Sequence, residues 1–440
     1  MRKPISRRTL LKLAGSGFVA AAGATWLPRF VGKKLLQPAA VVLAQTTPPD
    51  LYFAGTDGWI SMPSSPNIGF YFPDDLAPEN FNTYIFGFRN VTGLNATQIG
   101  QQKMKAQHSA PMFWVDEYDG SNEFHMQLTN LGLQMRPDLT DSHTLHWHGF
   151  RNVIPFYDGE PTGSISVPVG RNFTYVFRPR DPGTYMYHCH VEDIEHVHMG
   201  MTGMVFVRPA QNGQGFYQSG RYAYNDGDGS TGYDREFSML LTEVWSEAHW
   251  DDSHIQLPEW TDYRVDFGLI NGRAYPDTLA PSGSVDPFNP VRDANGDLIP
   301  TPGYEHLQYQ PISSLVTCNE GERVLLRFAN LGFTEGAMTT AGLKMRIVGR
   351  DATLMRGITD VDTSYLTNTI SLGAGESADA IFTAPAYRGG SNGQPYDTYL
   401  LYNRATTHGS NAGTAGYGGQ MTEIRVYPTG TLPVQTVPNT

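Results

Sequence analysis

A chain of 440 residues exceeds one ordinary domain and suits two of about 150 to 200 residues each. Its 47 glycines, 30 prolines and 12% aromatic residues, with no short-period repeats or helical heptads, favour an all-β protein rich in turns. The formal charge of −12 becomes −20 once residues 1–44 are set aside, since that segment holds eight Lys or Arg and no acid, and so acidic a chain excludes a nucleic-acid partner.

The chain begins with a twin-arginine pattern, Ser6-Arg7-Arg8-Thr9-Leu10-Leu11-Lys12, followed by an apolar run from Leu13 to Leu27 and a small-residue site at Val42-Leu43-Ala44. Residues 1–44 are expected to be an export signal that carries a folded protein to the periplasm or the exterior. The alternative, a retained anchor, has an apolar run short for a bilayer span. Residues 45–62 are expected as a flexible leader and residues 63–209 as the first domain. In that domain Phe124-His125-Met126-Gln127-Leu128-Thr129-Asn130-Leu131 alternates with the period of a half-buried strand, which makes His125 structural. Similar runs at Ser164–Val169 and Phe173–Phe177 are joined by turns such as Asp181-Pro182-Gly183. Residues 210–235, rich in Gly, Asn, Asp and Ser, are expected as a linker, 236–427 as a second domain and 428–440 as a loose tail. Two calcium-loop look-alikes, Asn225–Ser230 and Asp293–Asp297, lack EF-hand spacing and are read as turns.

The chemistry lies in two dense motifs. Cys189 has His188 and His190 on either side, His196 seven residues later and Met201 five after that. One thiolate, imidazoles and a weak axial thioether are what a type 1 copper needs, and the missing imidazole can come from His143-Thr144-Leu145-His146-Trp147-His148-Gly149. Seven of the 13 histidines fall between His143 and His198, too concentrated for scattered surface or core residues. Alternation along a strand places both members of each His-X-His pair, His146/His148 and His188/His190, on one face, with Cys189 pointing the other way. The second cysteine, Cys318 in Leu315-Val316-Thr317-Cys318, is expected as a buried strand residue, leaving no disulfide.

Leu145-His146-Trp147-His148-Gly149, Asp158-Gly159 and Gly183-Thr184-Tyr185-Met186-Tyr187-His188-Cys189-His190 resemble a copper-binding domain of the multicopper oxidases, a family that includes laccases and the related copper nitrite reductases. The resemblance is strong over residues 110–210. Beyond it, Leu269–Arg273, Gly321–Phe328 and Gly375–Asp379 resemble core strands and turns of the family's later domains. It implies two cupredoxin-like Greek-key β-barrel domains, with His143, Cys189, His196 and Met201 holding a type 1 copper. The interval from Cys189 to His196 is two residues longer than the usual laccase spacing, so His198 stands as an alternative to His196. His146, His148, His188 and His190 would be half of a catalytic copper site, and Asp158 matches the family's acidic residue for proton delivery, with a turn aspartate in Tyr157-Asp158-Gly159 as the alternative that the resemblance outweighs.

The same resemblance implies a copper oxidoreductase that takes electrons from a small reductant or a redox protein and reduces dioxygen or nitrite. An electron-transfer protein with a vestigial second site and a non-enzymatic copper-binding protein are the alternatives. A trinuclear cluster needs eight imidazoles, yet only His249, His254, His306 and His408 follow His198. His408 falls near the place from which a nitrite reductase gives one histidine to a neighbouring subunit. The expectation is therefore a homotrimer in which His408 reaches the four-histidine cluster of the adjacent chain.

Overall fold

The computed structural model describes residues 48–440 apart from Ser65 and Asn152, so the expected export signal at 1–44 lies outside the described residues. In chain order the first half contains β1 (Leu51–Ile60), β2 (Thr83–Asn90), α1 (Ala96–Gly100), β3 (Phe113–Asp116), β4 (Phe124–Asn130), β5 (His146–His148), β6 (Asn172–Phe177), β7 (Gly183–His188), α2 (Asp193–Met199) and β8 (Thr202–Arg208). The second half contains β9 (Arg235–Val244), α3 (Ser246–Ser253), β10 (Phe267–Ile270), β11 (Val316–Asn319), β12 (Arg323–Asn330), β13 (Gly336–Thr340), β14 (Met345–Arg350), β15 (Thr353–Leu354), β16 (Tyr365–Thr367), β17 (Thr369–Leu372), β18 (Ser377–Thr383), β19 (Asp397–Asn403) and β20 (Met421–Tyr427). The all-β reading holds: among the described residues every helix is eight residues or shorter. None among the described residues is long and apolar enough to cross a membrane.

Each half is a pair of facing sheets. The first pairs the order β2-β1-β4-β6 with β3-β8-β7-β5, and the second pairs β10-β9-β12-β18-β14-β15, with β16 beside β14, with β11-β20-β19-β13-β17. Between the first two sheets Phe53, Phe113 and Tyr187 meet at ring-centroid distances of 5.3–6.0 Å, and Trp147 joins them at 5.5 Å from Phe113. Burying each such ring contributes roughly 1.5–3 kcal/mol. Strand β4 shows the expected alternation, buried at every second position. Phe237, Leu326, Ile347 and Val426 belong to the core of the second half.

Three expectations are corrected. The presumed leader contains β1, which pairs with β2 and, in parallel, with β4. Its polar Thr56 and Asp57 disguise a strand buried along almost its whole length. Asp57 is satisfied there, accepting hydrogen bonds from the Tyr84 hydroxyl and the Met135 N–H, both at 2.8 Å. The presumed loose tail is pinned: Asn439 accepts from Ser238 N (2.9 Å) and donates to Ser313 O (2.8 Å), so one amide serves two segments of backbone. Residues 210–235, which join β8 to β9, are packed rather than loose. Asp226 in that stretch is buried and accepts from Gly229 N (2.8 Å), Asp228 N (3.0 Å) and Gln211 Nε2 (2.7 Å), as a turn aspartate does.

The second half grips β7, the strand that leads into the metal motif. Thr184 donates to Asp379 Oδ1 (2.5 Å), Ser377 Oγ donates to the Thr184 carbonyl (2.7 Å), and Arg327 donates to Thr184 Oγ1 (3.1 Å). Arg327 is itself fully buried and paired with Glu236 at 2.8 Å, so no charge in this network is left alone.

Candidate metal centres

Strand β7 is buried on both faces and ends at His188, so Cys189 emerges inside the protein rather than at its rim. The chain then turns through Glu192, held at φ 45°, into the short helix α2, which folds His196 back onto the cysteine. The Cys189 Sγ and His196 Nδ1 are 3.2 Å apart. This turn and helix accommodate the seven-residue interval. His143 arrives from the opposite side, its backbone bridged to Val167. Its ring lies against Gly55 of β1, where a Cβ would stand 2.6 Å from His143 Cδ2, so only glycine leaves room for the imidazole. The donor atoms of His143, Cys189 and His196 lie within 4.8 Å of one another. Met201, directly after Gly200, is fully buried, and its backbone is bonded to both ligand residues: Cys189 N to Met201 O at 3.1 Å and Met201 N to His196 O at 2.9 Å.

Burial alone would raise the Cys189 pKa, but the positive charge of His196 overrides it and holds the thiol well below its usual range. Burial would equally lower His196, and the Cys189 thiolate followed by Asp141, 3.5 Å from its Nε2, raises it instead. The two groups thus favour each other's charged form, thiolate beside imidazolium, in a fully buried setting. Both ring nitrogens of the buried His143 lack a hydrogen-bond partner, an arrangement that a bound cation would relieve. His198 does not join this group. Its Nε2 accepts from Trp245 N–H at 3.1 Å, and its ring packs on His249, Trp260, Tyr263 and Phe333, which resolves the alternative in favour of His196.

The second group lies on the other side of the same strand pair. β5 and β7 run antiparallel with His146 opposite His188, and the intervening Trp147 is in the core, as alternation requires. Ring centroids separate His146 from His188 by 5.2 Å, from His190 by 5.0 Å and from His148 by 6.1 Å. His146 Nδ1 lies 2.7 Å from the Asp158 carbonyl and His188 Nδ1 2.8 Å from the Cys189 carbonyl. A carbonyl can only accept, so each Nδ1 carries its proton and each Nε2 is left with a lone pair. Burial lowers the pKa of His146 and His148 and takes His188 down to about 3, so these rings are neutral donors at neutral pH.

Asp158 sits beside this group as expected, but the contact that orients His146 is made by its backbone; its Oδ1 is 3.6 Å from the same nitrogen. Gly159 permits the approach: with φ 75°, a Cβ there would meet the Leu145 carbonyl oxygen at 2.3 Å.

The expectation for His408 is overturned. It is buried within the second half, its Nε2 2.7 Å from Glu243 Oε1 and 3.0 Å from Thr334 Oγ1, because the buried Glu243 carboxylate requires a donor there. His249, His254 and His306 are also held elsewhere, beside Tyr84 O, Trp250 and Asp277. Among the described residues, therefore, the second half brings no imidazole to the cluster. Asp141, two residues before His143, had a signal in its adjacency to the motif; Gly55 had none.

Residues 124–212 match the family model described as multicopper oxidase. Over 273 residues the chain is 24% identical to Laccase-5 of Arabidopsis thaliana, covering 61% of this chain and 37% of that protein. The chain thus spans little more than a third of that curated relative's length. The blue copper oxidase of Nitrosomonas europaea shares the fold with a TM-score of 0.53 at 19% identity over 85% of each chain. The copper nitrite reductase of Nitrosomonas europaea does so with 0.51 at 14% identity over 88% of this chain and 95% of that one. The two sandwiches have the cupredoxin-like fold of these structures, and the stretch of the first that matches the multicopper oxidase model includes His143, Cys189 and His196, whose imidazole and thiolate donors fit copper.

Proposed function

We propose that this protein is a copper oxidoreductase that accepts single electrons at the Cys189 pocket and delivers them to dioxygen or nitrite at the His146/His148/His188/His190 cluster. The observation that carries the reading is the tripeptide His188-Cys189-His190, which joins a closed thiolate pocket to an open imidazole cluster through a few covalent bonds. Copper would supply one-electron redox change at both places and bind the acceptor at the second. The burial of Cys189, His143 and His196 limits rearrangement of these ligands, and the neutral imidazoles of His146, His148 and His188 present lone pairs at neutral pH. The Asp158 carboxylate, about one-third exposed and beside His146, can pass protons inward from solvent.

The acceptor is dioxygen or nitrite: the carboxylates of Asp158, Glu160 and Asp351 act on His146 and His148, the His190 imidazole acts on them with the opposite sign, and copper in the cluster would add positive charge of its own, so charge does not choose between the two. The electron donor is a small reductant or a redox protein. Export by the twin-arginine route and assembly as a homotrimer belong to the same proposal, although a trimer would use no His408 ligand. Light scattering that finds a monomer discards the trimer.

The test is copper content per chain together with oxygen and nitrite consumption under the same reductant. More than one copper with consumption of dioxygen or nitrite is the expected result. One copper without turnover would replace the proposal with an electron-transfer protein, which the absence of second-half imidazoles among the described residues would then explain. Whichever of dioxygen and nitrite is consumed identifies the acceptor, and copper at both sites with neither consumed would overturn the proposal.

A further inference from the structure

The second half brings no histidine to the imidazole cluster, yet it touches it. The turn between β17 and β18 lies against His148, and at Gly375 a Cβ would stand 3.0 Å from His148 Nε2 and 3.2 Å from Cε1. Gly375 has φ 81°, in the left-handed region where a side chain is disfavoured even in open space. The turn is pinned. Gly375 N donates to Asn330 O (2.8 Å), Asn330 N donates to Glu376 O (3.0 Å), and Gly373 N donates to Glu376 Oε2 (2.7 Å). The next residue, Ser377, bonds the Thr184 carbonyl of β7 at 2.7 Å, so the turn is located against the same strand that ends in His188.

We propose that Gly375 is a positioning residue for His148: the second half completes the imidazole cluster with a side-chain-free turn that backs the His148 ring. The proposal rests on the cluster's being a copper site, as argued above. His146 and His188 are each oriented by a backbone carbonyl at Nδ1, and His148 is oriented by contact with this turn. A methyl group at position 375 would force the ring to shift by a few tenths of an ångström. Metal–ligand distances tolerate about 0.2 Å, so the displacement is large enough to matter.

The test compares full-length Gly375→Ala with full-length Gly321→Ala. Gly321 has φ 79° but nothing within 4 Å of its would-be Cβ, so its substitution reproduces the backbone strain without touching a histidine. Copper titration should show the second-site affinity of Gly375→Ala weakened about 10- to 100-fold, the usual range for losing an outer support of a ligand, while the visible charge-transfer band persists. Gly321→Ala should retain both copper sites. In metal-free protein the His148 imidazole ¹⁵N resonances should move in Gly375→Ala and stay in place in Gly321→Ala. Unshifted resonances with wild-type copper affinity in Gly375→Ala would overturn the proposal, as would equal losses in the two variants. If the wild type binds a single copper, the copper reading of the cluster fails, and the metal-free resonances still decide whether Gly375 positions the ring.

Discussion

Each half of the molecule is a two-sheet sandwich, and each buries one cysteine completely: Cys189 at the end of β7 and Cys318 within β11. Their charge states are opposite. Cys318 lies in a core with Val316, Ile424 and Val426, and burial pushes its pKa up to about 12, so it remains a thiol. Cys189 is as deeply buried, but the charge of His196 holds it as a thiolate. Depth in the sandwich therefore does not make a metal site; the charge of the nearest side chains does.

The sharpest way to break this comparison is Cys189→Ser. The thiolate is the source of the intense visible band of a type 1 copper, so the band should vanish completely and turnover with it, as measured by absorption and oxygen uptake. A variant that keeps its colour would remove Cys189 from the site. His188→Ala should act on the other side of the same tripeptide. Second-site copper should bind more than about 100-fold more weakly, beyond the range for losing an outer support of a ligand, while the colour stays, because removing one of the cluster's imidazoles leaves His143, Cys189 and His196 in place. Loss of colour in parallel with the second copper would show that the two donor sets are not separable.

Histidine use divides the halves in the same way. In the first half His143 and His196 face Cys189, and His146, His148 and His188 face one another, whereas in the second His408 is bonded to Glu243, which also accepts from Thr334 N, Phe333 N and the Tyr263 hydroxyl. Burial would raise the Glu243 pKa, but the hydrogen bonds from His408, Thr334 and Tyr263 hold it below the ordinary 4.5. A depressed carboxylate stabilises the fold above its unfolded pKa, and that contribution disappears as pH falls through the folded value. Glu243→Gln should cost about 3 kcal/mol at neutral pH, the scale for breaking a buried pair. The gap from wild type should narrow as the pH is lowered below 4.5, which denaturant melts at pH 7 and in acid would show. A gap that stayed constant with pH would mean that Glu243 carries no charge in the fold.

The sequence made the metal motifs readable because their donors are local. His188, Cys189 and His190 are consecutive, and strand alternation alone sends Trp147 to the core and His146 and His148 to the opposite face. What could not be read depends on partners far along the chain. Glu243 lies 165 residues from His408, so the pairing that withdraws this histidine from any copper site leaves no local trace. Asn439 meets Ser238 across 201 residues, which is why the tail reads as loose from composition. Strand β1 was hidden by its own Thr56 and Asp57, whose satisfaction depends on Gly132, Tyr84 and Met135. Gly375 could be read as a turn residue, but its contact with His148 joins the two halves and follows only from their packing.

The smallest effect should come from the other cysteine. In Cys318→Ala the lost sulfur leaves a small void beside Val426 and removes a weak contact in which Sγ donates to the Arg425 carbonyl at 3.8 Å. For so small a deletion from a sheet whose backbone pairing with β20 is unchanged, the cost should be about 1 kcal/mol. Copper content, colour and oxygen uptake should equal those of the wild type, since no imidazole shares its core and its pKa of about 12 leaves it protonated. A matched melt and copper assay checks both parts. A cost near 1 kcal/mol with unchanged copper would confirm that the two cysteines differ by their neighbours alone. Lost copper or a weakened band would mean instead that the second sandwich influences the metal through its core, and the contrast between the two halves would no longer stand.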